Sequence, residues 1–104
     1  MAYFLVTSVW GPSQDPSRGR REQDGWDEHA AFMDGLVEDG FVVLGGPVDD
    51  ERAMLLVEAS DEDEVRSRLA EDPWRRTGML QIGELVRWTI WLDRREGRSA
   101  SART

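Results

Sequence analysis

Phe41-Val42-Val43-Leu44, an apolar run stopped by Gly45-Gly46-Pro47, and, beyond the acidic turn Asp49-Asp50-Glu51, the second apolar run Ala53-Met54-Leu55-Leu56-Val57-Glu58-Ala59 read together as a β-hairpin. What flanks this hairpin decides the architecture. Before it, Gly40 supplies the left-handed residue that ends a helix. The preceding residues repeat at about 100° per residue, with Trp26, Ala30, Met33, Leu36 and Val37 on one face and Asp27, Glu28, Asp34 and Glu38 on the other. With Asp24 as N-cap, a helix is predicted from Gly25 to Asp39. After the hairpin, Ser60 and Asp63 have capping-box spacing and Val65 and Leu69 form a narrow apolar stripe. Glu62 to Arg66 and Glu64 to Arg68 are spaced for ion pairs. Pro73 stops this second helix at Asp72.

Two outer segments complete the pattern. Tyr3 to Trp10 is β-branched and aromatic and ends at Gly11-Pro12, so it reads as a strand; Met79 to Leu92 reads as a second, longer one. The order β-α-β-β-α-β is the split βαβ arrangement of ferredoxin-like α+β domains, an antiparallel sheet with two helices on one face. The strands are apolar in more than one register, so the uncovered face needs a second layer. A second copy of the same sheet would supply it, and a homodimeric α+β barrel is expected. Residues 1–92 are assigned to this one domain and 93–104 to a polar, flexible tail. Gly11 to Gly25 is a long aperiodic loop without apolar anchors, a candidate lid and the expected mobile segment.

Composition narrows the function. A formal net charge of −8 argues against general nucleic-acid or anionic-membrane binding and leaves a small-molecule ligand as the expected partner. Without cysteine there is no disulfide, thiolate nucleophile or cysteine-held metal, and one histidine cannot build a multi-histidine metal site. No metal or other cofactor is called for. No secretory signal or bilayer-length apolar stretch is seen, so a cytoplasmic location is expected.

The single histidine, His29, lies at the edge of the apolar face of the first helix, beside Phe32 and Leu36. Asp72, opening Asp72-Pro73-Trp74, is a carboxylate that could fix its tautomer; together they could move a proton on a small substrate. Read blandly, His29 is a core residue and Asp72 a helix-stop residue. Gly45-Gly46-Pro47 could line a pocket or cradle an anion, although Gly-Gly at a strand end also marks a bulge. Arg18, Arg20 and Arg21 are the local positive cluster of an acidic chain; Arg21 is the candidate clamp for a substrate carboxylate, against an ordinary solvated loop. Trp26 and Trp74 are candidate pocket walls. Asp61-Glu62-Asp63-Glu64 is explained by the helix dipole rather than by a metal.

Trp26-Asp27-Glu28-His29-Ala30-Ala31-Phe32-Met33, Gly40 to Val48, Leu55 to Ala59 and Asp72-Pro73-Trp74 together resemble the YciI-like, or YCII-related, family. The resemblance spans Tyr3 to about Trp91 and implies a ferredoxin-like dimer with His29 and Asp72 as its active-site pair. Trp74 stands where the family often has Phe. The expected function is general acid/base chemistry of isomerase, lyase or dehydrohalogenase type on a small cyclic or carbonyl-bearing substrate. The alternatives are a non-catalytic metabolite- or partner-binding dimer, and a haem-binding or oxygenase barrel with His29 as axial ligand.

Overall fold

A computed structural model of the chain describes residues 1–96, 98 and 99. Its main sheet has four antiparallel strands in the order β2-β3-β1-β4: β1 (Ala2–Trp10), β2 (Val42–Pro47), β3 (Arg52–Ala59) and β4 (Leu80–Trp88). Helices α1 (Trp26–Glu38), α2 (Glu62–Leu69) and the single-turn α3 (Pro73–Arg76) complete the ferredoxin-like α+β plan, packed on one side of the sheet. Strand parity places the core. Phe4 and Val6 of β1 and Leu55, Val57 and Ala59 of β3 point to the helices and are buried with Leu36, Phe41, Val42, Val65 and Leu69. Ser8 has the same parity as Phe4 and Val6, so its hydroxyl is carried into the interior, 3% exposed.

The expected strand from Met79 to Leu92 is shorter. β4 pairs only with β1, and that register runs out at Tyr3 opposite Trp88. Beyond it, Leu92–Asp93 (β5) pairs instead with Arg98–Ser99 (β6). Residues 97 and 100–104, part of the expected tail, lie outside the described residues. At the other edge, β2 does not stop at its glycines: Gly45, Gly46 and Pro47 continue the ladder opposite Leu55, Met54 and Ala53. An edge strand tolerates proline because one row of its amides needs no partner. The register irregularity falls earlier, between Val42 and Leu44.

Helix starts also differ from expectation in register. α1 is capped by Gly25 in the left-handed region, φ 81°, without a side-chain cap; Asp24 instead pairs with Arg18 at 2.8 Å. In α2 the box is shifted by one residue, Asp61 accepting from the Glu64 amide at 2.8 Å while Glu64 accepts from the Ser60 amide at 2.7 Å. Glu62 and Arg66 pair as expected, whereas Arg68 bonds Asp39 because Glu64 is engaged at the cap. The Gly11 to Gly25 loop lacks apolar anchors but has polar ones. Buried Gln23 donates to the carbonyls of Asp15 and Arg18 and accepts from the Asp15 amide, and the Gly11 amide bonds Met79. No helix among the described residues is long and apolar enough to cross a membrane.

Candidate active site

The expected apolar stripe of α1 divides in two. Leu36, with Phe32 and Met33, packs on the core, while Trp26, His29, Met33 and Val37 follow one another along the helix and face a cavity of about 280 Å³. Gly45, Gly46 and Pro47 of β2, with Ala53 and Leu55 of β3, form the opposite wall. A side chain could not replace Gly45 here: a Cβ at that position would stand 2.5 Å from Leu55 Cδ2 and 2.9 Å from the Met54 carbonyl oxygen. Gly45 lets β2 approach its neighbour, whereas a Cβ on Gly46 would meet nothing within 4 Å.

Asp72 is placed by local backbone chemistry. The residue before a proline is held extended, and Asp72, at φ −62° and ψ 127°, becomes the N-cap of α3. Its Oδ1 accepts from the Trp74 amide at 2.9 Å, which aims the carboxylate at His29. His29 Nδ1 lies 2.8 Å from Oδ2 and 3.0 Å from Oδ1. Asp72 is fully buried and the His29 side chain is 13% exposed. The Trp74 ring stacks on the imidazole, centroids 4.1 Å apart and planes 7° from parallel, and its Nε1 donates to the Asp24 carbonyl at 2.8 Å. Gly25 permits that approach, since a Cβ there would meet Trp74 Nε1 at 3.1 Å. Two helices distant in sequence are thereby fastened together through the proposed pair.

An ionised carboxylate only accepts hydrogen bonds, so with Asp72 ionised and the imidazole neutral this contact places the proton on Nδ1 and the lone pair on Nε2. Nε2 makes no hydrogen bond among the described residues, and the ring lines the cavity. An oriented imidazole with one nitrogen unengaged, beside a cavity, is an arrangement that can exchange a proton with a bound molecule. Trp26 and Trp74 give the cavity an aromatic side: Trp26 packs tilted at 5.8 Å from His29 and 5.7 Å from Trp74, and Trp10 backs Trp74 at 5.8 Å.

Of the residues singled out in the sequence, Trp26, His29, Gly45, Gly46, Pro47 and Trp74 line the cavity and Asp72 stands behind His29. Arg21 does not line it; its guanidinium lies over the Trp26 ring at 5.7 Å. Arg20 does, because successive residues of the 3-10 turn Arg20–Glu22 point about a third of a turn apart. The sequence reading missed Ser8 and Arg75. Arg75 Nη2 donates to Ser8 Oγ at 2.7 Å, while Nε and Nη1 are buried without a partner. Burial pushes the Arg75 guanidinium below its ordinary pKa, and the Asp72 charge pulls it back up. Unpaired buried donors of this kind each cost about 1–3 kcal/mol. Ser8 carried a sequence signal, a hydroxyl in phase with Phe4 and Val6. Among the described residues no His, Cys, Asp and Glu group could hold a metal ion.

Among solved structures, the chain is similar to 5-chloro-2-hydroxyhydroquinone dehydrochlorinase from Burkholderia phenoliruptrix, in complex with 2,5-dihydroxybenzoquinone. The match has a TM-score of 0.61 and 24% sequence identity, and it covers 85% of this chain and 94% of that one, which establishes a common fold. No curated protein matches the sequence. A family model does match, over residues 4–89, and by that match the chain belongs to the YCII-related domain family.

Proposed function

We propose that the protein is a small-molecule enzyme of dehydrohalogenase type, in which His29 is the general base and Asp72 orients it. The carrying observation is an imidazole that lines the cavity together with Trp26 and Trp74, its Nδ1 held at 2.8 Å by a fully buried carboxylate and its Nε2 without a hydrogen bond among the described residues. The fold shared with a dehydrochlorinase supports elimination among the proton-transfer reactions that such a pair could serve. A halogenated hydroxyquinol can lose hydrogen halide without an external oxidant. Nε2 takes the proton of a ring hydroxyl, and a proton is delivered to the halogen-bearing carbon as the ring becomes a ketone. The carbon–halogen bond then breaks with its electron pair leaving as halide, a second hydroxyl proton is lost, and a quinone remains. Imidazolium formed in the first step is stabilised by Asp72 and can return the proton in the second.

The test is incubation with 5-chloro-2-hydroxyhydroquinone under anaerobic conditions, following chloride by ion-selective electrode and the quinone by absorbance. Chloride and quinone should appear in equal amounts, faster than without protein. Tight binding with no chloride release would make the chain a binding protein instead.

The unit is proposed to be a homodimer. The sheet face away from the helices carries Leu44, Val86 and Trp88, which are 54%, 44% and 45% exposed and sit beside Leu5 and Leu56. A continuous apolar sheet face is covered at least cost by its own copy. Light scattering at micromolar concentration should give twice the chain mass, and Trp88→Asp should shift it toward one. A monomer from the unaltered chain would remove the dimer.

A further inference from the structure

We propose that Arg75, anchored by Ser8, forms an anion subsite in the cavity wall, so that the ring on which His29 works is bound as an enolate, phenolate or carboxylate. This rests on reading the cavity as a ring-binding site. Three observations point to it. Arg75 lines the cavity, and its guanidinium is fixed there by Nη2 donating to the hydroxyl of buried Ser8, while Nε and Nη1 are buried without an acceptor among the described residues. A guanidinium whose donors are not spent on a protein carboxylate keeps its charge available to an anion in the cavity that it lines. In addition, the cavity's charge opposes that of the chain: the net charge is −8, yet Arg20 and Arg75 both line the cavity. Of the nearby carboxylates, Asp72 is engaged by His29 and Trp74, which leaves Asp34 as the acidic side chain in the lining.

The placement also makes chemical sense. Removing a hydroxyl proton from a quinol leaves an oxyanion on the ring, and a fixed cation in a poorly solvated wall favours that charge more than water-exposed Arg21 could. Arg75 follows Asp72 by one turn of α3, so the helix that orients the base also sets the distance between base and cation.

The experiment is isothermal titration calorimetry with 2,5-dihydroxybenzoquinone and with its dimethyl ether. The first is anionic at neutral pH because each hydroxyl is conjugated to a carbonyl as a vinylogous acid; the second is neutral and has the same ring. The unaltered protein should bind the anion at least about tenfold more tightly than the ether. Arg75→Gln should abolish this preference while leaving ether affinity within about threefold, and Arg75→Lys should keep part of it. Should Arg75→Gln fail to fold, Ser8→Ala carries the test, with anion affinity falling about three- to tenfold and the ether unaffected. Equal affinity for the two ligands, or a preference that survives Arg75→Gln, overturns the subsite and leaves the ring-binding cavity standing. Binding of neither ligand overturns both. An Arg75-dependent preference in a protein that releases no chloride keeps the subsite and removes the dehydrohalogenase.

Discussion

Replacing His29 by glutamine will lower chloride release from a halogenated hydroxyquinol by about 10²–10⁴-fold, the range set by losing a positioned general base. The amide of glutamine can still donate to Asp72, so the buried carboxylate keeps a partner and the fold should survive. His29→Ala removes that partner and leaves Asp72 with the Trp74 amide alone in a site with no solvent access. It also empties the place of a ring stacked at 4.1 Å on Trp74. About 3–5 kcal/mol of stability should be lost in the alanine variant and about 1 kcal/mol in the glutamine variant. The two substitutions therefore separate chemistry from structure: equal loss of activity with unequal loss of stability is expected, read by initial rates and by denaturant unfolding. Activity in His29→Gln within tenfold of the unaltered protein would make His29 a structural residue.

How much of this was legible in the sequence depends on how local each signal is. The hairpin and the Gly40 helix stop are set by backbone preferences within a few residues and appear where composition places them, although β2 runs on through Gly45-Gly46-Pro47 where a stop was expected, and Asp72-Pro73, expected only to end the second helix, starts α3 three residues after α2 ends at Leu69. The length of β4 was not local, since it is fixed by where β1 begins, at Ala2. The stripe of α1 reads as one apolar face, with Trp26 alone of its residues a candidate pocket wall; periodicity cannot distinguish a core from a cavity wall, so Met33 and Val37 give no sign of the cavity that they line. The His29–Asp72 contact joins residues far apart in sequence and was reached through helix placement and a family resemblance. Arg75 could not be found that way. In Pro73-Trp74-Arg75-Arg76 it reads as one of two basic residues ending a short helix, and only the tertiary meeting with Ser8 takes it out of solvent.

Asp72→Asn should reduce turnover by about 10²–10⁴-fold while leaving the fold nearly intact, because it attacks the tautomer of His29 and not its position. The reason lies in the two oxygens. Oδ1 accepts from the Trp74 amide at 2.9 Å and must remain an oxygen in the asparagine variant for α3 to stay capped. The NH₂ group then occupies the place of Oδ2, the nearer atom at 2.8 Å from His29 Nδ1, and is expected to donate to Nδ1, since Oδ1, 3.0 Å from Nδ1, is already taken by the Trp74 amide. Nδ1 becomes the acceptor and the proton moves to Nε2, where the base had its lone pair. Because the chain has one histidine, its ring ¹⁵N shifts report this exchange without overlap from another imidazole. The expected result is protonated Nδ1 in the unaltered protein, protonated Nε2 in Asp72→Asn, a fall in kcat and little change in KM. Asp72→Ala loses the cap as well as the partner of His29 and should cost about 2–4 kcal/mol of stability. An Asp72→Asn protein with the original tautomer and a lowered kcat would show that the carboxylate acts through its charge on the imidazolium. The original tautomer with undiminished kcat would remove Asp72 from the reaction and leave it as the N-cap of α3.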